Sequence, residues 1–238
     1  MAPAPVNERG YAHPELLAET DWLAQNLNNA QVRVIDARPP QQYQEGHIPG
    51  AVNLSGFGGI PRAENGDMAN PETFAKLAGE LGIGDGTAIV VYDAPSQMMG
   101  MVAWAFLYYG HTDVRLLDGG WSKWSSEGHP TATEPSTYPA AVFHARPVEG
   151  LYCSLDSAKA SLGKPKTIFW DTRTLGEYEG TAVGGGGAPA RPGHIPGAVH
   201  LEWIDLLDPV SKTLKPAGEL QSLLESKGIT PDAEANSY

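Results

Sequence analysis

Short apolar runs alternate with amphipathic stretches through the first half of the chain. The run "TAIVVYD" at 87–93 is rich in β-branched residues and predicts a buried strand. Further strands are predicted at 32–37, 51–54 and 113–119, and helices at 15–27, 71–81 and 97–110, the first of them capped by Thr20. Strands that alternate with helices indicate a parallel sheet covered on both faces, with its ligand site at the carboxyl ends of the strands.

One stretch of the chain occurs twice. "VIDARPPQQYQEGHIPGAVNL" begins at Val34, and "FWDTRTLGEYEGTAVGGGGAPARPGHIPGAVHL" begins at Phe169. Counted from Asp36 and Asp171, both copies carry arginine at +2 and tyrosine at +7, but the glycine of GHIPG moves from +10 to +22. The second copy therefore contains an insertion of 12 residues, whose glycines and prolines around 184–192 predict a surface loop.

The second copy repeats only part of the first. It predicts a short strand near 151–153, a helix capped by Ser154, strands at 167–172 and 198–201, and a helix that ends near Lys227. It contains no counterpart of the helix and final strand that follow Asp93 in the first copy. Carried over to the second copy, the position of Asp93 falls one or two residues beyond Tyr238, at the tip of an expected strand.

These patterns predict an α/β protein of two domains, each with a central parallel sheet flanked by helices. The first domain is assigned to 1–131 and the second to 148–238, which is expected to be incomplete in this chain. The proline-containing segment 132–147 is predicted to be a linker. The N-terminus of the helix after Asp93 would face the preceding loop and favour an anion there.

Composition and charge exclude several classes of function. With 16 Lys and Arg against 28 Asp and Glu, the net charge of −12 repels polyanions, so nucleic acid is not expected as a partner. The single cysteine, Cys153, allows neither an intrachain disulfide nor a multi-cysteine metal site, and it fits a reducing cytoplasmic setting. No apolar stretch approaches the roughly 20 residues that span a bilayer, so no membrane association is expected.

The motifs "DAR…Y…GHIPGAVNL" and "DTR…EY…GHIPGAVHLEW", together with "YGHTDVRLLDGGWSKW", resemble the tandem rhodanese family of thiosulfate and 3-mercaptopyruvate sulfurtransferases. The resemblance covers nearly the whole chain. It implies a catalytically inert first domain and a second domain whose cysteine, after the central strand, accepts a sulfane sulfur as a persulfide. The implied partners are a small anionic sulfur donor and a cyanide or thiol acceptor, with no cofactor and no metal.

The resemblance also suggests roles for individual residues. The nucleophile is not among the 238 residues and is expected immediately after Tyr238, in a segment that completes the second domain; Asp93 is its inert counterpart. Arg173 is a candidate for binding the donor anion, because a guanidinium offers a fork for oxyanions. Glu177 stands where some thiosulfate-preferring relatives carry a second arginine. Glu177 is a candidate for substrate binding, and Met98, Met99 and Trp203 are candidates to line a substrate cleft between the two copies, with ordinary core or surface packing as the alternative.

Several alternatives stay open at this point. Arg173 could equally form an ion pair with Asp171, and Asp36 and Asp171 are predicted to brace the loops that follow them. Cys153 aligns with Glu19 rather than with a strand-to-helix loop, which favours a structural thiol. A non-catalytic rhodanese-like binding module and a phosphatase with a longer cysteine loop are the competing functions. The residues after Tyr238 would distinguish all three.

Overall fold

The computed structural model describes residues 3–56, 58–94, 98–183 and 191–238. The chain divides into two compact units: Met1–Tyr152 with Pro209–Leu214, and Cys153–Asp208 with Lys215–Tyr238. Most of the predicted insertion, at 184–190, lies outside the described residues. Across the described part of the chain, no helix has the length and apolar character needed to cross a membrane.

The first unit follows the predicted alternation of strands and helices. Short 3₁₀ turns at Val6–Glu8 and Pro14–Leu16 precede its regular elements. These elements are β1 (Leu17–Ala18), α1 (Thr20–Asn26), β2 (Val32–Asp36), α2 (Pro40–Glu45), β3 (Val52–Asn53), α3 (Pro71–Glu80), β4 (Ala88–Tyr92), α4 (Met98–Tyr108), β5 (Val114–Leu117) and α5 (Gly120–Ser126). Thr20 is the first residue of α1 rather than its cap, because its hydroxyl bonds to Glu127 and Lys123 instead of to the helix.

The first unit is built on one parallel sheet of five strands in the order β1-β5-β4-β2-β3. Successive side chains of a strand face opposite sides, so β2 and β4 each contribute to two apolar cores. Ile35 and Val91 belong to the core that contains residues of α3 and α4. Val34 and Val90 belong to the core that contains residues of α1 and α5. Asp36 is in register with Tyr92, which brings the carboxyl ends of the two central strands to one edge.

The segment 132–147, predicted to be a linker, lies within the first unit. Phe143 is buried in the core beside α3 and α4. The hydroxyl of Tyr138 donates a hydrogen bond to the carbonyl of Gly50 at 2.7 Å, and Asp85 bonds His144 at 2.6 Å. Apolar and polar anchors together hold this segment along the first unit.

The segment Pro209–Leu214 also belongs to the first unit, which the sequence pattern did not predict. The carboxylate of Asp118, at the end of β5, accepts the N–H of Leu214 at 2.9 Å. The carbonyl of Leu214 accepts hydrogen bonds from Arg9 and Tyr11. Because Arg9 also forms a buried ion pair with Asp118, both backbone groups of Leu214 are held by one network.

The second unit repeats the start of this plan with fewer strands. Its elements are α6 (Leu155–Ser161), β6 (Thr167–Asp171), α7 (Leu175–Glu179), β7 (Val199–His200), a 3₁₀ turn (Trp203–Leu206), α8 (Ala217–Ser226) and β8 (Glu234–Ser237). Ser154 caps α6 as predicted, since its hydroxyl accepts the N–H of Ser157. The strand order is β7-β6-β8, all parallel.

The strand predicted near 151–153 is wrong, because no strand forms there. Its counterpart in the first unit is β1, which pairs with β5. The described residues of the second unit form a three-stranded sheet with no counterpart of β5. An extended segment without a neighbouring strand has no ladder of hydrogen bonds to join.

Candidate active site

The same aspartate and arginine pair stands at the carboxyl end of one strand in each unit. After β2, Asp36 accepts the backbone N–H of Arg38 at 2.9 Å and its guanidinium Nη2 at 2.6 Å. After β6, Asp171 accepts the backbone N–H of Arg173 at 3.1 Å and its Nη2 at 2.6 Å. The predicted bracing role of both aspartates is confirmed, and each guanidinium leaves its strand in a fixed direction.

Each guanidinium is also tied to the glycine that opens the GHIPG motif. Nη2 of Arg38 donates to the carbonyl of Gly46 at 2.7 Å, and Nη2 of Arg173 donates to the carbonyl of Gly193 at 3.0 Å. The repeated motif is therefore joined to the repeated arginine in both units. The 12-residue insertion of the second copy leaves this contact in place.

Tyr238 is the structural counterpart of Tyr92. The hydroxyl of Tyr92 accepts the N–H of Ile48 at 3.1 Å and donates to Asp36 at 2.6 Å. The hydroxyl of Tyr238 accepts the N–H of Ile195 at 3.0 Å and bonds Asp171. The repeat arithmetic left two alignments of this strand open, and the hydrogen bonds select the one that pairs the two tyrosines.

The two arginines differ in exposure. The side chain of Arg38 is 4% exposed and that of Arg173 is 27% exposed. The ring of Trp121 lies 4.3 Å from the guanidinium carbon of Arg38, and Tyr92 lies behind it at 5.4 Å. Arg173 has one such ring, Tyr238 at 5.2 Å. Among the described residues none accepts a hydrogen bond from Nη1 of Arg173, and the same holds for Nη1 of Arg38.

In the first unit, the position after the central strand holds a carboxylate. Asp93 is 1% exposed, and its Oδ2 accepts the N–H of Met99 at 2.9 Å, in the first turn of α4. Its carbonyl accepts the N–H of Trp121 at 2.8 Å. The N-terminus of α4, which would favour an anion, is therefore already occupied by the carboxylate of Asp93.

An open cleft of about 360 Å³ lies beside this position in the first unit. It is lined by Arg38, Gln42, Glu45, Gly46, Ala94 and Trp121. Arg38 is held here by bonds to Asp36 and Gly46, the same bonds that Arg173 makes to Asp171 and Gly193. Glu45 adds a negative side chain to the lining, which disfavours a small anion.

Two of the other residues predicted for the donor site flank the Arg173 loop. Glu177 forms a capping box with Thr174, in which its carboxylate accepts the Thr174 N–H at 3.1 Å. The backbone N–H of Trp203 donates to the carbonyl of Thr172 at 3.0 Å. Glu177 and Trp203 thus bond to Thr174 and Thr172, the two residues that flank Arg173 in the chain.

The predicted methionines belong to the first unit. Met98 is 5% exposed and is part of the core of that unit, where its side chain lies against Gly56. Met99 packs partly buried against the same core. Both lie in the first turn of α4, the end that faces Asp93.

Cys153 has the properties of a structural thiol. Burial raises its pKa, and the negative charge of Glu234 raises it further. A sulfur nucleophile needs the opposite, a pKa lowered by a helix N-terminus or by positive charge. Cys153 therefore lacks the environment of a reactive thiolate.

His200 was missed in the sequence, although the repeat contains the signal. It stands at the position of Asn53, since the two residues lie at +29 and +17 from their aspartates and the difference is the 12-residue insertion. His200 Nε2 lies 2.8 Å from the carbonyl of Arg173, and Asn53 Nδ2 lies 2.9 Å from that of Arg38. Both side chains hold the carbonyl of the repeated arginine.

Comparison of the sequence with known proteins finds relatives that are named as a sulfur carrier protein and as thiosulfate sulfurtransferases. Residues 19–127 match the family model described as a rhodanese-like domain. The chain is 36% identical to the "Sulfur carrier protein TtuD" of Thermus thermophilus, over 96% of this chain and 84% of the relative. It is 30% identical to a Synechococcus elongatus protein named "Putative thiosulfate sulfurtransferase", over 97% of this chain and 74% of the relative.

Solved structures share the fold. The 3-mercaptopyruvate sulfotransferase SseA from Escherichia coli superposes with a TM-score of 0.79, covering 93% of this chain and 87% of that chain. Its sequence is 24% identical, so the likeness concerns the fold alone.

Proposed function

The chain belongs to the rhodanese family of sulfurtransferases, and on this premise we propose that it moves a sulfane sulfur through a cysteine persulfide. The proposed donors are thiosulfate and 3-mercaptopyruvate, and the proposed acceptors are cyanide and thiols. Both donors are anions with a transferable sulfur, which fits a site built around a guanidinium.

The proposed reaction has two displacements. A thiolate attacks the sulfane sulfur of thiosulfate, the sulfur–sulfur bond breaks, and sulfite leaves with the bonding electrons. The acceptor then attacks the outer sulfur of the persulfide, and the cysteine thiolate leaves. No net oxidation occurs in the protein, because the thiolate present at the start is restored at the end.

The observation that carries the proposal is that Arg173 is held beside Tyr238, the residue that follows β8. Its guanidinium is fixed by Asp171 and Gly193 through Nε and Nη2, while 27% of the side chain stays open to solvent. A guanidinium held in this way binds an oxyanion without losing further side-chain freedom. In the first unit, the position after the central strand is taken by the carboxylate of Asp93, which accepts the N–H of Met99, and this supports assigning the donor site to the second unit.

The nucleophile is proposed to follow Tyr238 directly. This assignment is supported by the matching hydrogen bonds of Tyr92 and Tyr238, since the residue after Tyr92 is Asp93. A carboxylate cannot form a persulfide, so the first unit is proposed to be inert. Glu177, Trp203, Met98 and Met99 stay predictions as residues that line the donor site.

A second candidate function is that of a sulfur carrier that delivers its persulfide to a protein acceptor. The name of the Thermus thermophilus relative, "Sulfur carrier protein TtuD", favours it. In this case the persulfide would form from thiosulfate, but cyanide turnover would be slow. The two functions share the first displacement and differ in the acceptor.

The test is a steady-state assay of the purified protein with thiosulfate or 3-mercaptopyruvate as donor and cyanide as acceptor. Arg173→Gln should lower kcat/KM by about tenfold or more, the size of a lost charge-assisted hydrogen bond. Arg191→Gln is the matched control, because Arg191 is an exposed arginine of the same unit. Equal kcat/KM values for Arg173→Gln and wild type would contradict the proposal. A persulfide that forms without cyanide turnover would favour the carrier.

A further inference from the structure

The carbonyl of Arg173 is held by a side chain that differs between the two copies. In the first unit, Asn53 Nδ2 donates to the carbonyls of both Asp36 and Arg38, each at 2.9 Å. In the second unit, the equivalent hydrogen bond is from His200 Nε2 to the carbonyl of Arg173 at 2.8 Å. Because a carbonyl only accepts, His200 carries its proton on Nε2 in this contact.

The ring of His200 is itself fixed. It lies 4.9 Å from the ring of Tyr178, with 32° between the planes. Tyr178 is fixed in turn, because its hydroxyl donates to the carbonyl of Ala198 and its ring stacks on His194 at 3.8 Å. His200 is thus a rigid donor rather than a mobile surface side chain.

The backbone and side chain of Arg173 are thus held by two different residues. Asp171 binds its N–H and its guanidinium, and His200 binds its carbonyl. The hydrogen bond from His200 thus fixes the backbone from which the Arg173 side chain leaves.

We propose that His200 is a positioning residue for the donor anion: its Nε2–H holds the carbonyl of Arg173, so that the free Nη1 stays directed toward the donor. This inference rests on the proposed role of Arg173 in donor binding. It adds that histidine in the second copy makes the hydrogen bond that asparagine makes in the first.

Two substitutions test the hydrogen bond of His200 separately from the contact of its ring with Tyr178. His200→Phe keeps a ring against Tyr178 and removes the donor, whereas His200→Asn restores the amide donor found at Asn53. His200→Phe should raise the KM for thiosulfate about fivefold, the size of one ordinary hydrogen bond, with little change in kcat. His200→Asn should return KM close to the wild-type value. Asn53→Leu in the first unit is the control and should leave KM unchanged.

The dissociation constant of thiosulfate, measured by calorimetry on the same proteins, tests His200 apart from turnover. If wild type binds thiosulfate but transfers no sulfur, the proposed function fails while the binding series still tests His200. An unchanged KM and Kd in His200→Phe would overturn the inference, as would a His200→Asn protein no better than His200→Phe. His200→Ala replaces His200→Phe if circular dichroism shows that the latter does not fold. A wild-type protein that does not bind thiosulfate overturns both proposals.

Discussion

The substitution Asp→Asn, made at the same place in both units, should have unequal costs. Asp36 and Asp171 are both fully buried and make the same ion pair, but Arg38 is 4% exposed and Arg173 is 27% exposed. Asp36→Asn leaves a buried guanidinium without its counter-charge, which costs about 3–5 kcal/mol. Asp171→Asn leaves a guanidinium that water reaches in part, so we expect a smaller loss of about 1–2 kcal/mol.

Hydrogen exchange detected by mass spectrometry measures the two losses separately, because each unit contributes its own strand peptides. The peptides that contain β2 and β6 report the free energy of local opening in the first and second unit. Asp205→Asn is the control, since Asp205 is exposed and forms no ion pair among the described residues. If the free energy of local opening falls equally in the two variants, or falls more in Asp171→Asn, then side-chain exposure does not determine how much an arginine without its counter-charge destabilises its unit.

Three further predictions concern single residues. Glu177→Ala should destabilise α7 by about 1 kcal/mol because it removes the capping box with Thr174, whereas Glu177→Gln should retain most of the cap; exchange in α7 checks both. Gly120→Ala should lower the melting temperature of the first unit, because Gly120 has a φ of +53° and its Cβ would lie 2.5 Å from the carbonyl of Asp93; an unchanged melting temperature would contradict this. Burial acts to raise the pKa of Asp171, but hydrogen bonds from its arginine and tyrosine partners outweigh burial and lower it. The resulting stability is present above the unfolded-state pKa of about 3.9 and is lost as the pH falls through the lower folded pKa, so acid titration of Asp171→Asn should lack this loss.

The sequence predicts the central strands well because their burial is visible in local composition. The run at 88–92 is apolar and β-branched, and it forms β4 with nearly every residue buried. The repeat transfers this assignment to the second copy, where "AEANSY" is polar and would not by itself indicate a strand. Register with the first copy predicts β8, and the structure confirms it.

The predictions that failed depended on distant partners. The strand near 151–153 required a neighbouring strand equivalent to β5. The predicted cap at Thr20 did not form, because the Thr20 hydroxyl bonds to Lys123 and Glu127, which are distant in the chain.

The candidate site could be predicted in type but not in detail. Arg173 follows from the repeated motif and the position after a strand. The role of His200 emerged only when its hydrogen bond was compared with that of Asn53, because the two side chains differ in structure and have in common only an N–H donor. Glu177 stays a prediction as a donor-site residue, and the structure adds that its carboxylate caps α7.

The most direct test of sulfur transfer is the intact mass of the protein, purified from its own source, after incubation with thiosulfate and again after cyanide. We expect a gain in mass equal to one sulfur atom, which cyanide then removes. Proteolytic mapping should locate that sulfur on a cysteine directly after Tyr238. A protein that gains no sulfur would contradict the persulfide mechanism, and a sulfur located on Cys153 would contradict the assigned site.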